Sequence, residues 1–158
     1  MLSDLPSDRF LVRAAQLPDA EGLARIATRA YQQYLPLMDR PPAPMQADYS
    51  AHIAKDDVFV ACLEDRLVGY AVIIRAEDDG YWLDNIAIDP DVAGRGLGKT
   101  LLGWIESWLS ERTDSYQLYT NIVMHRNIDW YQTLGFKQTG HRTVDGYQRI
   151  YFSKNLTT

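Results

Sequence analysis

Several features that mark other protein classes are scarce in this sequence of 158 residues. No stretch approaches the roughly 18 consecutive apolar residues that a membrane-spanning helix needs, so no membrane association is expected. The single cysteine, Cys62, has no partner for an internal disulfide, and its apolar surroundings in residues 58–63 indicate a small core residue. Residues 1–6 lack the basic and apolar segments of a secretory signal, so the expected location is the cytoplasm.

Basic stripes and metal-ligand patterns are also lacking. The formal net charge is -5, and the absence of a basic stripe argues against a nucleic-acid partner. The same charge mildly favours a cationic substrate. His52, His125 and His141 are dispersed, and no pair has the spacing of a metal site, so no metal is predicted.

What the chain does contain is the composition of a globular protein, with 46% hydrophobic residues. Its length suits one core, so residues 1–158 are expected to form a single domain. No internal repeat or long linker is evident. The proline cluster at residues 40–44 predicts a loop, because proline interrupts a helix.

Hydrophobic periodicity predicts an alternation of strands and helices along the chain. Helical spacing occurs at residues 18–34, 45–55, 97–109 and 127–134, and strand patterns occur at residues 58–63, 67–74, 81–88, 117–120, 136–144 and 147–152. Turns are predicted at residues 64–66, 77–80 and 145–146. The predicted fold class is α/β (α+β), with a mixed central β-sheet of about six to seven strands flanked by about four helices.

A glycine-rich turn joins the third predicted strand to the long helix. Gly94, Gly96 and Gly98 alternate there, which lets the backbone approach a ligand closely. The amides at the start of the helix and the nearby Arg95 and Lys99 favour an anion such as a phosphate.

The glycine-rich turn has three alternative interpretations. A triphosphatase P-loop ending at Gly98 would need a glycine at residue 93, where this chain has alanine. A dinucleotide-binding fingerprint fits less well, because the third glycine lacks the required spacing. The turn could also be a connection that needs glycine for steric reasons alone.

Two segments resemble the GNAT superfamily of acyl-CoA-dependent N-acyltransferases. Residues 85–102 are similar to the superfamily's central strand, pyrophosphate loop and following helix, and residues 127–136 are similar to its later helix with a Leu-Gly-Phe end. Residues 42–45 and 118–121 further resemble a bacterial subgroup of acetyltransferases. The resemblance covers nearly the whole chain and implies a GNAT-like fold and acetyl-CoA as cosubstrate.

The resemblance also implies which residues hold acetyl-CoA. The main chain of the central strand would pair with the pantetheine arm, and the backbone amides of residues 94–99 would hold the pyrophosphate. The implied set is Ile86, Ala87, Ile88, Gly94, Arg95, Gly96, Leu97, Gly98, Lys99, Thr100 and Asn127.

Two positions depart from the superfamily's pattern. Ala93 replaces a usual glutamine or arginine, which matters little because the amide contributes more than the side chain. Met124 replaces an asparagine near the pantetheine, so that contact is either lost or made by Asn127 or Asn121.

Direct transfer from a thioester to an amine needs a proton donor for the thiolate and a neutral amine. By resemblance Tyr131 is the proton donor, although an aromatic residue here is also compatible with the core. Asp84, just before the pantetheine-binding stretch, is the candidate base, and a surface or salt-bridging role is the alternative. The strand amides around Ala87 and Ile88 would polarise the thioester carbonyl.

The acyl acceptor is the least constrained part of the prediction. By resemblance, substrate contacts come from the first two helices and their loop, here Tyr31, Tyr34, Asp39 and Arg40. Asp39 suits a cationic amine and Arg40 suits a carboxylate, so the sign of the substrate's charge stays open. The predicted enzyme transfers an acetyl group to a primary amine of a small molecule, as a monomer or homodimer. The alternatives are a protein or peptide N-acetyltransferase and a non-catalytic acyl-CoA-binding module.

Overall fold

The centre of the molecule is a seven-stranded sheet. A computed structural model describes residues 9–77 and 80–157. The strands are β1 (Phe10–Ala14), β2 (Asp57–Leu63), β3 (Arg66–Ala76), β4 (Gly80–Ile88), β5 (Ser115–Asn121), β6 (Lys137–Val144) and β7 (Tyr147–Asn155). Their spatial order is β1-β2-β3-β4-β5-β7-β6, and only the β4–β5 pair is parallel.

Helices cover both faces of this sheet. In the described part of the chain they are α1 (Ala20–Tyr31), α2 (Ala43–Gln46), α3 (Tyr49–Lys55), α4 (Leu97–Ser110) and α5 (His125–Thr133). Short 3₁₀ turns occupy Leu17–Asp19, Gln32–Leu37 and Pro90–Val92. The predicted mixed sheet with flanking helices is therefore confirmed.

Each face of the sheet buries its own hydrophobic cluster. In β2, Phe59 packs in the cluster that contains α4, whereas its neighbours Val58 and Val60 pack in the cluster that contains α1. This alternation follows from the two-residue period of a strand. The helical spacing predicted at residues 97–109 corresponds to one buried face of α4. All five buried residues of this helix belong to one cluster, namely Leu97, Leu101, Leu102, Ile105 and Leu109. Cys62 is half-buried and packs against the other cluster.

Two of the predicted turns have the geometry of tight hairpins. Glu64 and Asp65 connect β2 to β3 with φ of 52° and 69°, and Asp145 and Gly146 connect β6 to β7 with φ of 52° and 85°. Positive φ at both central residues matches the right-handed twist of paired strands. The predicted turn at residues 77–80 includes residues 78 and 79, which lie outside the described residues.

The helix predicted at residues 45–55 is two helices, α2 and α3. Ala47 is extended, with ψ of 148°, and interrupts the helical run. The Asp48 side chain then accepts a hydrogen bond from the Ala51 amide at 3.0 Å and caps the start of α3. The break brings α3 against the end of the sheet that carries the candidate site.

Candidate active site

The parallel strands β4 and β5 separate near the middle of the sheet. Their pairing ends at Leu83 and Leu118, although β4 continues to Ile88 and β5 to Asn121. The β4 backbone beyond Leu83 therefore has an edge that is not paired with β5. An extended ligand can add hydrogen bonds to such an edge.

A β-bulge in β4 marks the start of this opening. Val72 of β3 faces Asn85, and the next residue, Ile73, faces Leu83, so Asp84 is the extra residue on β4. A bulge bends its strand and changes the direction of the extra side chain. Asp84 lines a cavity at this point.

The glycine-rich turn lies between β4 and α4. Gly94 and Gly96 have φ of 83° and 75°, a conformation that favours glycine, and Gly96 immediately precedes α4. A Cβ atom at either position would meet no heavy atom within 4 Å, so open space faces the turn. The first amides of a helix lack intrahelical acceptors and attract anions. The turn can therefore hold a phosphate with its backbone.

A buried carboxylate fixes the end of β4 before this turn. Asp89 accepts a hydrogen bond from the Asp91 amide at 2.9 Å and lies 3.3 Å from Arg29 of α1 and 3.4 Å from Arg66 of β3. Burial by itself would raise the pKa of Asp89. The Asp91 amide and the two guanidinium groups outweigh burial and hold that pKa below its ordinary value.

Two cavities meet at the separated end of β4. The first, the loop-side cavity, has a volume of about 340 Å³ and is lined by residues that include Ala87, Ile88 and Gly98. The second, the hairpin-side cavity, has a volume of about 240 Å³ and is lined by residues that include Asp84 and Arg149. Both cavities are lined by Tyr31, Ile86 and Asn127.

The β6–β7 hairpin closes one side of the hairpin-side cavity. The hydroxyl of Tyr147, which lines this cavity, donates a hydrogen bond to the Pro41 carbonyl at 2.8 Å. The Arg40 guanidinium lies 4.6 Å from the centre of the Tyr147 ring. These contacts hold the hairpin against residues 40–42. The loop predicted at residues 40–44 is shorter than expected, because α2 already begins at Ala43, with Pro44 in its first turn.

Tyr131 of α5 lies at the wall of the hairpin-side cavity. Its side chain is buried and packs near the rings of Trp130 and Phe136. Burial, together with the nearby Tyr34, raises the pKa of Tyr131 above its ordinary value. Within residues 9–77 and 80–157, no group hydrogen-bonds to its hydroxyl. Tyr131 is thus a protonated phenol at neutral pH with its proton available.

Asp84 is the carboxylate that this cavity contains. Burial raises the pKa of Asp84 above its ordinary value, and the nearby Asp56 adds to the effect, although His52 and Arg149 act in the opposite direction. The Tyr119 hydroxyl lies 3.5 Å from an Asp84 oxygen. A carboxylate with a raised pKa is a better proton acceptor than an exposed one.

Sequence reasoning missed a histidine beside Asp84. His52 of α3 lines the hairpin-side cavity, and its Nδ1 lies 2.8 Å from an Asp56 carboxylate oxygen. The sequence signal for this pair is the four-residue spacing of His52 and Asp56, which brings two such side chains close together.

A buried network of phenols around Asn85 was also missed. The Asn85 amide oxygen accepts hydrogen bonds from Tyr31 and Tyr70, both at 3.1 Å, and its amide nitrogen donates to Tyr49 at 2.7 Å. Tyr31 also contacts the Ile86 carbonyl at 3.0 Å. The network connects α1 and α3 to β4, so the helices on this face are held against the separated strand.

The residues predicted to bind acetyl-CoA fall into three groups. The loop-side cavity is lined by Ile86, Ala87, Ile88, Gly98 and Asn127. The exposed surface of the turn and the start of α4 carries Gly94, Arg95, Gly96, Lys99 and Thr100. The Leu97 side chain is buried in the core, which leaves its main chain for binding.

Asn127 and Asn121 are the two candidates for the pantetheine contact that Met124 replaces, and Asn127 is the better placed of the two. Its side-chain nitrogen lies 3.6 Å from the Met124 sulfur, and it lines both cavities. Asn121 lines only the hairpin-side cavity, where its side-chain oxygen accepts a hydrogen bond from the Val123 amide at 3.1 Å.

The residues predicted to contact the acceptor are distributed more widely. Tyr31 lines both cavities, and Tyr34 lines the loop-side cavity. Asp39 and Arg40 are exposed, and neither lines the two cavities. The sequence did not single out Arg149 and Tyr147, which the β6–β7 hairpin brings into the hairpin-side cavity.

Residues 9–77 and 80–157 contain neither a membrane-spanning helix nor a metal-binding cluster of side chains. No helix in these ranges is both long and apolar enough to cross a membrane. No group of three or more histidine, cysteine, aspartate or glutamate side chains has an arrangement that could hold a metal ion.

Two curated relatives match a little over half of this sequence. The sequence is 32% identical to the peptidyl-lysine N-acetyltransferase YjaB of Escherichia coli strain K12 over 92 residues. These residues make up 58% of this chain and 56% of that protein. It is 34% identical to the protein of the same name from Salmonella typhimurium strain LT2 over 95 residues. These residues make up 59% of this chain and 58% of that protein. The chain thus spans a little over half the length of these relatives.

Solved structures match the whole fold. The ribosomal-protein-S18-alanine N-acetyltransferase from Escherichia coli superposes with a TM-score of 0.75 at 21% identity, covering 94% of this chain and 95% of that one. The PaiA N-acetyltransferase from Thermoplasma acidophilum in complex with coenzyme A gives a TM-score of 0.75 at 18% identity, covering 92% and 98%. At these identities the match establishes a shared fold.

The family assignment comes from the sequence itself. A family model described as an acetyltransferase (GNAT) domain matches residues 54–138, which is more than half of the chain. The matched region contains the separated strand, the glycine-rich turn, α4 and α5. This chain belongs to the GNAT acetyltransferase family.

Proposed function

We propose that this protein transfers the acetyl group of acetyl-CoA to a primary amine of a small molecule. The observation that carries the proposal is the meeting of two cavities at Tyr31, Ile86 and Asn127. One cavity leads to the glycine-rich turn, and the other contains a carboxylate and a protonated phenol. Such an arrangement suits two substrates that react where the cavities join.

The residues of the loop-side cavity fit acetyl-CoA, which supplies an acetyl group activated as a thioester. The open space outside Gly94 and Gly96 admits a pyrophosphate that the first amides of α4 would bind. The edge of β4 from Ile86 to Ile88 offers hydrogen bonds to an extended arm with amide groups. The Trp130 ring packs beside Gly98, and both residues line this cavity.

Asp84 and Tyr131 would carry the proton transfers of this reaction. Asp84 accepts a proton from the ammonium form of the acceptor, directly or through a water molecule, which frees the nitrogen lone pair. The amine nitrogen then bonds to the thioester carbon as the carbon–sulfur bond breaks. Tyr131 donates its phenolic proton to the departing sulfur, and the resulting phenolate takes the extra proton from the acylated nitrogen, directly or through a water molecule. The products are a neutral amide and a neutral thiol, and Tyr131 is protonated again.

The closed side of the hairpin-side cavity favours a small acceptor. Its volume of about 240 Å³ and the contact between Tyr147 and Pro41 restrict the space beside Asp84. Acetylation of a lysine side chain in a protein is a second candidate, because both curated relatives are named peptidyl-lysine N-acetyltransferases. A lysine side chain is narrow enough to enter a cavity that excludes the rest of a peptide.

Ligand stabilisation and thiol release test this function together. Acetyl-CoA at about 100 times its dissociation constant should raise the free energy of unfolding by about 2.7 kcal/mol, and ATP with magnesium should do much less. Release of free CoA should then depend on an added amine and be faster with small amines than with lysine peptides. Stabilisation by ATP alone would contradict the assignment, and stabilisation by acetyl-CoA without thiol release from any amine would indicate a binding module.

A further inference from the structure

Arg149 of β7 lines the hairpin-side cavity and forms no ion pair with any of the described residues. It is half-buried and lines the cavity, and its guanidinium carbon lies 4.0 Å from the centre of the Tyr119 ring. No carboxylate of the described residues lies within 4.0 Å of it, whereas Arg29 and Arg66 each pair with two aspartates.

The stacking on Tyr119 orients this guanidinium without using its donors. A ring face stabilises the flat face of the group, and the N–H bonds point outward in the guanidinium plane. That edge can bind both oxygens of a carboxylate in parallel hydrogen bonds. Arginine also loses less hydration free energy than lysine when a site is partly dry, which suits it to anion recognition inside a cavity.

The cavity therefore presents opposite charges to one ligand. Asp84 is the bulged residue of β4, and Arg149 reaches the same space from β7, close enough to influence the pKa of Asp84. The other titratable side chains on this space are His52, Tyr31, Tyr119, Tyr131 and Tyr147. Asp84 matches the ammonium of an acceptor, and Arg149 matches an anionic group on the same molecule.

We propose that the acceptor is an amine that also carries a carboxylate, and that Arg149 binds this carboxylate while the amine faces Asp84. This rests on the proposed acetyl transfer and narrows its substrate class. Polyamines fit poorly, because their second cation would lie against Arg149. The carboxylate can belong to a free amino acid or to an acidic residue beside a lysine, and the test includes both.

The test compares paired acceptors that differ only in charge. The first arm uses linear amino acids from β-alanine to 6-aminohexanoate and the common α-amino acids. Each acid is compared with its own primary amide. The second arm uses a blocked Asp-Lys-Asp peptide beside Asn-Lys-Asn. Thiol release gives kcat/KM, and thermal stabilisation gives binding for every compound. At least one acid should exceed its amide by about tenfold or more in kcat/KM, through a lower KM.

Arg149→Met and Arg142→Met form the matched pair of variants. Each variant removes one arginine that lies over a tyrosine ring, since the Arg142 guanidinium carbon is 4.5 Å from the centre of the Tyr151 ring. Arg142 differs from Arg149 in that it is exposed and does not line the cavity. Arg149→Met should lower kcat/KM for the preferred acid at least about tenfold more than for its amide. Arg142→Met should retain the preference for the acid, and Arg149→Lys should restore it in part.

The outcomes separate this inference from the proposed function. Thiol release with equal rates for acids and amides, or an acid preference that survives in Arg149→Met, overturns the inference and leaves acetyl transfer in place. Absence of stabilisation and turnover with every acid also overturns it. Stabilisation by acids that depends on Arg149, without thiol release from any amine, retains the anion site and overturns the transferase.

Discussion

At the scale of single residues, Tyr131 combines features that seldom occur together. Its ring packs in the core, yet its hydroxyl reaches a cavity and has no hydrogen-bond partner in the described part of the chain. A buried phenol normally finds a partner, since an unsatisfied polar group costs about 1–3 kcal/mol. The unused hydroxyl is therefore consistent with a role toward a ligand, which the core-packing alternative does not require.

Replacement of Tyr131 by phenylalanine isolates the phenolic proton. Tyr131→Phe keeps the ring contacts with Trp130 and Phe136, so the melting temperature should change little or rise. Loss of a general acid costs about 100- to 10,000-fold, and because a thiolate leaves readily we expect a reduction of kcat near the lower end. The affinity for acetyl-CoA, measured by calorimetry, should stay within about twofold.

Turnover measurements decide this prediction once an acceptor is known. A pre-steady-state burst must first show whether chemistry or product release limits the rate. If chemistry is limiting and Tyr131→Phe turns over like the wild type, Tyr131 belongs to the core alone. A large loss of acetyl-CoA affinity would instead assign the hydroxyl to binding.

At the scale of secondary structure, hydrophobic periodicity and turn-forming residues predicted most of the helices and strands. The observed α4 begins at Leu97, as predicted, and Gly135, just beyond α5, has a φ of 97° that is typical of the glycine that ends a helix. The error at α2 and α3 arose because the Asp48 cap competes with helix continuation. Helix propensity alone does not predict the outcome of that competition.

The parts of the site that sequence did not predict depend on strand register. The bulge at Asp84 follows from a one-residue mismatch between β3 and β4, which no local pattern encodes. Arg149 enters the hairpin-side cavity only because β7 inserts between β5 and β6. Residues from separate strands meet there, so their combination appears only in three dimensions.

Two glycines of α4 give a sharp test of the loop-side cavity. Gly98 lines that cavity, and a Cβ atom there would meet the Trp130 ring at an ordinary contact distance of 3.6 Å. Gly98→Ala should fold, since alanine favours a helix by about 1 kcal/mol over glycine. The added methyl group would stand where an arm of acetyl-CoA passes, so we expect acetyl-CoA affinity to fall at least about tenfold in calorimetry.

Gly103→Ala is the matched control on the same helix. A Cβ atom at Gly103 would meet nothing within 4 Å, and Gly103 does not line the loop-side cavity. The control should gain stability by a similar amount and bind acetyl-CoA like the wild type. Equal affinity in both variants would show that the cavity beside Gly98 is not used for binding.

At the scale of the whole molecule, β4 connects every part of the proposed reaction. One end of its separated segment carries Asp84, its middle contacts Tyr31 of α1, and its other end leads through Asp89 to the glycine-rich turn. The network around Asn85 and the ion pairs of Asp89 each connect this strand to α1. A displacement of α1 would therefore disturb both cavities at once.

Asp89 offers a test of this connection, with Asp91 as its control. Both aspartates pair with Arg29 and Arg66, but the Asp89 side chain is only 5% exposed, whereas that of Asp91 is 55% exposed. Asp89→Asn should lower the free energy of unfolding by about 1–3 kcal/mol in urea at pH 7, because it removes a buried charge that two cations stabilise. Asp91→Asn should change it by less than about 0.5 kcal/mol.

The pH dependence of the Asp89 effect follows from the direction of its pKa shift. A pKa below the ordinary value of 3.8 in the folded state means that the charged form stabilises the fold. The advantage of the wild type over Asp89→Asn should be fully present well above pH 3.8 and should shrink as the pH falls toward the lowered pKa. Acetyl-CoA affinity should fall in Asp89→Asn and not in Asp91→Asn, because only Asp89 fixes the start of the turn from a buried position. Equal losses of stability in the two variants, or a difference that grows on acidification, would show that Asp89 does not hold α1, β3 and the turn together.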